Sequence, residues 1–286
     1  MSLNVICMKW GTKYSPEYVN KLYSMVARHL SLPFRFVCFT DDADGIKDGV
    51  EIHHFSDLPA RSGIGSSSAF TVSLVTAISN FYSFNLTKKK IAEIAIFIEQ
   101  KMNKEFVGNQ DQIITTYGGF KRITLKKNFF TVKNLKFSNI KKIKENSILL
   151  YSGKSRIADK IAKSKVNNIK KRKSENALNE IRAICNEAEK LISSKNIDLY
   201  HLGKLMNESW INKKKLSKSV SNKFLEKHMN ILKKNKIYGA KVLGAGGGGF
   251  IFVLAKKKLH KKIVETTKLL RVNFDIDLMG TMCDRK

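Results

Sequence analysis

Apolar and polar positions along the first forty residues fall into three blocks. Residues 3–8 form a short apolar run of strand length, followed by a polar loop over residues 9–16. From residue 17 to 30, Val19, Leu22, Tyr23, Val26 and Leu30 recur at helical spacing. Pro33 then introduces the apolar run 34–39, a second strand that ends on Thr40-Asp41-Asp42. Strand, helix and strand, with polar residues at the strands' carboxyl ends, predict a βαβ unit. Ligands of open α/β sheets collect at such ends, so this edge could touch a nucleotide.

The pattern changes past Pro59. A glycine–serine loop at residues 62–68 runs straight into Ala69-Phe70-Thr71-Val72-Ser73-Leu74-Val75-Thr76-Ala77-Ile78, apolar nearly all round and so predicted to be a buried helix. A second helix is expected over residues 88–103, with Ile91, Ile94, Ala95 and Ile98 on one face. Residues 108–120 read as loop and helix ending at Gly118-Gly119, and a strand-rich stretch follows to about residue 136. A new block opens with the strand candidate 148–153. After it comes a long amphipathic helix carrying Leu178, Ile181, Ile184, Ala188 and Leu191. Four consecutive glycines precede a last apolar strand at residues 250–254. The domain boundaries fall near residues 57 and 146.

Composition adjusts this picture in two places. The 53 Lys and Arg against 24 Asp and Glu give a formal net charge of +29, which favours anionic partners. The lysines recur as short runs all along the chain, without the interleaved aromatics of a single-strand stacking platform, so nucleic acid is disfavoured as the main partner. The four cysteines show no metal-ligand spacing and read as reduced thiols of a cytoplasmic protein. The start of the chain does not read as a signal peptide, and no apolar stretch approaches the roughly 20 residues that span a bilayer, so no membrane insertion is expected.

Three segments carry candidate chemistry. Gly63-Ile64-Gly65-Ser66-Ser67-Ser68 leads into a helix N-terminus, where outward backbone N–H groups and the helix dipole suit a polyphosphate. A plain N-capped helix after a flexible turn has the same pattern. Glu99, on the following helix among apolar neighbours, and Asp111, in Gly108-Asn109-Gln110-Asp111-Gln112, could divide two tasks: holding magnesium and orienting or deprotonating an attacking hydroxyl. A surface helix residue and an N-cap are the alternatives for these two. Gly244-Ala245-Gly246-Gly247-Gly248-Gly249 is flanked by Val242, Leu243, Phe250 and Ile251. That favours a close backbone approach in the core over a solvent-exposed hinge. The P-loop pattern GxxxxGK[ST] and the protein-kinase HRD and DFG sets are missing.

Together these motifs resemble the GHMP kinases, nearest the branch that phosphorylates D-glycero-D-manno-heptose 7-phosphate. The likeness runs through Asp57-Leu58-Pro59-Ala60-Arg61-Ser62 and the glycine–serine loop, Ile98-Glu99-Gln100, and Val107 to Gln112. It continues through Tyr117-Gly118-Gly119-Phe120, Tyr151-Ser152-Gly153, Asn207-Glu208-Ser209-Trp210 and Gly239 to Phe250. The resemblance implies an α+β, two-domain architecture: a truncated N-terminal, ATP-binding domain at 57–146 and a C-terminal α/β sandwich at 147–286. It implies ATP and Mg2+ as cofactors, and transfer to a hydroxyl of a sugar or sugar phosphate. Gly63, Ile64, Gly65, Ser66, Ser67, Ser68, Gly246, Gly247 and Gly248 would hold the ATP phosphates. Ser67 and Glu99 would hold the metal, and Asp111 would serve the acceptor hydroxyl. Arg61 and Arg156 are added as contacts to a substrate anion. The family's opening strand and Gly-Gly-Gly-Thr-Asp segment are not found. In their place, residues 3–55 resemble the start of a bacterial glycosyltransferase-like family at Met8-Lys9-Trp10-Gly11-Thr12-Lys13-Tyr14 and Phe36-Val37-Cys38-Phe39-Thr40-Asp41-Asp42. This suggests two gene pieces joined near 56–59, with a non-catalytic kinase remnant as the alternative to an active sugar kinase. Oligomeric state is left open.

Overall fold

The computed structural model describes residues 3–9, 14–40, 42–54, 64–127, 129–135, 138–153 and 174–283, with positions 161, 163, 164, 166, 168 and 169. The chain divides into two compact units, Met1–Ala60 and Arg61–Lys286.

In the first unit, β1 (Leu3–Lys9), α1 (Pro16–His29), β2 (Phe34–Thr40) and β3 (Glu51–His54) form a three-stranded sheet in the order β1-β2-β3. Both pairings are parallel, with Cys7 opposite Cys38 and Cys38 opposite Ile52. Pro16 and Glu17 favour the start of α1, and Arg28 and His29 in its last turn suit the helix dipole. Its Val19 packs on Phe36, Cys38 and Val50, and Tyr23 meets Phe36 edge-on at 5.4 Å. The predicted βαβ unit is present. The third strand was not foreseen, because Glu51-Ile52-His53-His54 carries too few apolar residues to register as one. Burial, with the Cys38 thiol beside it, pushes the Cys7 thiol up to about 12, so Cys7 stays protonated. At the carboxyl ends, buried Lys9 donates to the Asp42 carbonyl at 3.0 Å, and Thr40 Oγ1 donates to the same oxygen at 2.7 Å.

The second unit opens with α2 (Ser66–Phe81), α3 (Lys88–Phe97) and α4 (Gln110–Tyr117). Val72 and Val75 of α2 pack on Ile91 and Ala95 of α3, while Ile113 of α4 meets Ala92. Thr87 caps α3 by accepting from the Lys90 N–H. The expectation of an α2 buried all round fails on one side: Leu74, Ile78 and Phe81 are exposed, Phe81 to 80%. The reason is geometric, since α3 and α4 take up the face carrying Val72, Val75, Thr76 and Ser79 and leave the opposite stripe outward.

After the antiparallel hairpin β4 (Lys121–Leu125) and β5 (Phe130–Asn134) comes the short α5 (Ile140–Glu145). A four-stranded sheet follows, built from β6 (Ser147–Tyr151), β7 (Gly239–Val242), β8 (Phe250–Leu254) and β9 (Leu270–Val272) in the order β7-β8-β6-β9. Helices α6 (Glu175–Ile192), α7 (Leu199–Lys215), α8 (Lys223–Lys234) and α9 (His260–Thr267) complete the unit. Leu150, Val242, Ile251 and Val253 of the sheet bury against Trp210, Leu225, Leu232 and Ile263 of these helices.

The chain end returns to α4. Gly118 closes α4 with φ 64° and ψ 179°, a region open to glycine alone. A Cβ there would stand 2.2 Å from the Gly280 nitrogen. Gly119 N–H donates to the Asp277 carbonyl at 2.6 Å, and the Thr281 N–H reaches Thr115 and Thr116 carbonyls. Gly118→Ala is therefore expected to cost about 2 kcal/mol, because strain and the displaced 277–281 segment add together. Urea unfolding checks this, and an unchanged midpoint would refute it.

Candidate active site

The glycine–serine loop ends in a backbone made for it. Gly65 sits at the N-cap of α2 with φ 79° and ψ 20°, and as glycine it brings no capping side chain of its own. The first intrahelical bond runs from Ala69 N–H to the Gly65 carbonyl at 2.9 Å. The N–H groups of Ser66, Ser67 and Ser68 are thus the donors that an α-helix leaves unpaired at its start. No acidic residue of α2 lies in that first turn. Ile64 and Ser67 are exposed, Ser66 is half-buried and Ser68 is buried. Gly63 and Arg61 lie outside the described residues, as does Arg156.

Asp111 reaches this turn from α4. A Cβ added at Gly65 would lie 3.4 Å from Asp111 Cβ and 3.7 Å from its Oδ2. The loop before α4 is pinned by Gln100, whose Nε2 donates to the Val107 carbonyl at 3.0 Å and to Asn109 Oδ1 at 2.6 Å. The carboxylate expected to serve a hydroxyl therefore stands at the helix N-terminus expected to hold phosphate.

Glu99 lies just beyond α3, in a π-helical turn over Ile98–Met102, closed by Asn103 N–H to the Ile98 carbonyl. Such turns widen a helix locally and are frequent at functional sites. Glu99 is 1% exposed. Its Oε2 accepts from Ser68 Oγ at 3.1 Å and from Gln112 Nε2 at 2.5 Å, while Oε1 has no partner among the described residues. The serine that hydrogen-bonds Glu99 is Ser68, while Ser67, expected to share a metal with Glu99, is exposed in the same turn. The 100° step per helical residue turns Ser68 inward and Ser67 out. A buried carboxylate with one orphaned oxygen is costly unless a cation or donor completes it, so the site fits a divalent ion. Among the described residues no cluster of three or more His, Cys, Asp and Glu forms. Magnesium in phosphoryl transfer needs only one or two carboxylates plus phosphate oxygens.

The glycine run 244–249 is locked on its own domain. A Cβ at Gly246 would meet the Val220 carbonyl at 2.5 Å, and one at Gly247 the Ile161 Cδ1 at 2.4 Å. The Gly247 N–H donates to the Val220 carbonyl, and Asn222 Nδ2 donates to the Gly247 carbonyl at 2.9 Å. Gly248 is buried. Lys213 Nζ donates to the Val242 and Gly244 carbonyls at 3.0 and 2.6 Å, fixing the entry to the run. Close backbone approach, rather than a solvent-exposed hinge, explains these glycines. Sequence reasoning missed Gln100, Gln112 and Lys213. Gln112 could have been suspected as a polar residue on the inward face of α4.

Two family models match the chain: the N-terminal domain of the GHMP kinases at residues 10–119, and the GHMP kinase C-terminal domain at residues 188–266. The first match runs straight across residues 56–59, and the comparisons do not support a join of two lineages there. The D-glycero-alpha-D-manno-heptose 7-phosphate kinase of Campylobacter jejuni is 29% identical over 204 residues, covering 70% of this chain and 60% of that protein. The mevalonate kinase of Methanocaldococcus jannaschii is 27% identical over 236 residues, covering 77% of this chain and 66% of that one. This chain thus spans less than two thirds of the length of either relative. Among solved structures, a D-glycero-D-manno-heptose 1-phosphate kinase from Bacteroides thetaiotaomicron superposes with a TM-score of 0.62 at 20% identity, covering 79% of this chain and 64% of that chain. No helix among the described residues is long and apolar enough to cross a membrane.

Proposed function

The chain has the two-domain fold of the GHMP kinases, with both family domains in order, and from that premise we propose that it is an ATP-dependent small-molecule kinase acting on a sugar or sugar phosphate. The observation that carries this reading is Asp111 standing against the Gly65 turn at the start of α2. Residues 63–68 hold the ATP phosphates on the N–H groups that open α2, and Gly246, Gly247 and Gly248 are assigned to the same phosphates. Glu99 would hold a magnesium ion through its unpaired Oε1, with Ser67 as the second ligand from the exposed side of the turn, and the ion would offset phosphate charge. Asp111 orients the acceptor hydroxyl and takes its proton. A bond forms between that hydroxyl oxygen and the γ-phosphorus, and the bond from γ-phosphorus to the β–γ bridging oxygen breaks, releasing ADP. Arg61 and Arg156 are assigned to the acceptor's own phosphate, and a heptose 7-phosphate is the acceptor class favoured by the relatives' names and the cationic chain. We assign the reaction to the cytoplasm on the expectation that it draws on ATP.

ADP release is the measurement, with ATP and Mg2+ against a panel of free and phosphorylated heptoses and hexoses. The reading expects turnover on a phosphorylated sugar that disappears with EDTA. No turnover on any of them, from cooperatively folded protein, would refute it. One observation favours a second reading, a kinase-lineage protein with an incomplete acceptor pocket: the exposed stripe Leu74, Ile78 and Phe81 on α2. That reading expects no more than weak nucleotide binding, so a marked rise in melting temperature with ATP and Mg2+ speaks against it.

A further inference from the structure

Beside the two carboxylates, the site contains a third side chain with no role assigned so far. Gln112 is fully buried, and its Nε2 donates to Glu99 Oε2 at 2.5 Å. A carboxylate only accepts, so this contact fixes which end of the amide faces Glu99. Ser68 donates to the same oxygen, which leaves Oε1 as the one without a partner among the described residues. Gln112 also follows Asp111 directly on α4. Consecutive helical residues point about 100° apart, so one turn offers Asp111 to the Gly65 loop and Gln112 to Glu99.

We propose that Gln112 is a positioning residue: its amide holds Oε2 of Glu99, keeps Oε1 free for a divalent cation, and so links the metal-holding carboxylate to the turn that carries Asp111. The choice of a carboxamide is what makes this work. A lysine or arginine in the same place would satisfy Glu99 but neutralise it and repel the cation. A neutral donor orients the carboxylate while leaving its charge available. Ser68 gives Oε2 its second donor, so the carboxylate is held from α2 and α4 together.

The inference rests on the kinase reading, and its test separates the two. Mn2+ binding to the full chain saturated with ADP is followed by electron paramagnetic resonance, without any turnover. Gln112→Asn keeps the amide but falls one methylene short. It is expected to weaken Mn2+ binding by about tenfold to a hundredfold, with metal-free ADP binding unchanged. Should Gln112→Asn not melt cooperatively, Gln112→Met, which keeps the length of the side chain and removes its donor, carries the same test. It leaves the Glu99 carboxylate in place without its amide partner and is expected to fold yet bind Mn2+ more weakly. Wild-type Mn2+ affinity in Gln112→Asn, or in Gln112→Met, would overturn the role of Gln112 alone. A wild-type protein that binds no Mn2+ with ADP would overturn the kinase reading and this inference with it.

Discussion

On the kinase reading, replacing Asp111 by Asn is expected to leave a folded protein whose phosphoryl transfer is slower by about 10²–10⁴-fold. Folding is expected to survive because the substitution keeps the shape of a half-buried side chain at the start of α4. What is lost there is a negative charge in the first helical turn, about 0.3–1 kcal/mol. The rate loss has a different origin. An amide can still accept a hydrogen bond from a hydroxyl, but it cannot take the proton, and its dipole replaces a full charge beside the attacking oxygen. KM for ATP should hardly move, because in the proposed site residues 63–68 would bind phosphate through backbone N–H groups that the substitution leaves alone. Steady-state kinetics beside a thermal melt decide the matter. Wild-type kcat in Asp111→Asn would remove Asp111 from the chemistry, and a lost melting transition would make its role structural.

The parts of this site that could be read from sequence are those where residue type dictates backbone. Glycine at 65 is needed for φ 79°, and a glycine–serine run before an apolar helix announces that turn. The strand and helix periods of β1, α1 and β2 are equally legible, since each buries one face on the other. Three identical serines are another matter. Which of Ser66, Ser67 and Ser68 meets Glu99 depends on the rotation of α2 against α3, and no local preference of serine encodes it. The π-helical turn at Ile98–Met102 is invisible for the same reason, because its Glu99 is held by Ser68 of α2 and Gln112 of α4, contacts that only the tertiary fold supplies. The outward stripe of α2 shows the converse limit. Apolar composition all round predicts burial all round, but burial requires a neighbour on every side, and the partners of α2 lie on one. The glycine run at 244–249 stands between these cases: its close approach is legible, and the Val220 carbonyl that it approaches is not.

Gly239→Ala should be among the most damaging single-methyl additions in the second unit, at about 3 kcal/mol, the upper end for overpacking. A Cβ at Gly239 would fall 2.1 Å from the Gly203 carbonyl oxygen, and one at Gly203 would fall 2.3 Å from the Tyr238 carbonyl carbon. Both neighbours are backbone, so no rotamer change relieves the clash. The contact matters because β7 is an edge strand, and α7 covers it. Asn207 of α7 bonds that edge twice, accepting from the Ala240 N–H at 3.0 Å and donating to the Tyr238 carbonyl at 3.4 Å. Pushing the helix off by an ångström would break both bonds and leave buried backbone groups unpaired. Gly203→Ala sharpens the test, because alanine favours a helix over glycine by about 1 kcal/mol. Helix preference alone predicts a stabilised protein, while the close approach predicts a melting temperature lower by roughly 6–12 °C. The two substitutions open the same gap, so the double variant should cost less than their sum. β7 also leads directly into Gly244, whose carbonyl Lys213 of α7 holds together with that of Val242. Separating α7 from β7 therefore displaces the entry to the glycine run as well. Nucleotide affinity should fall in the fraction of Gly239→Ala that still folds; unchanged stability in either variant would show that the helix and strand are not held in contact by their glycines.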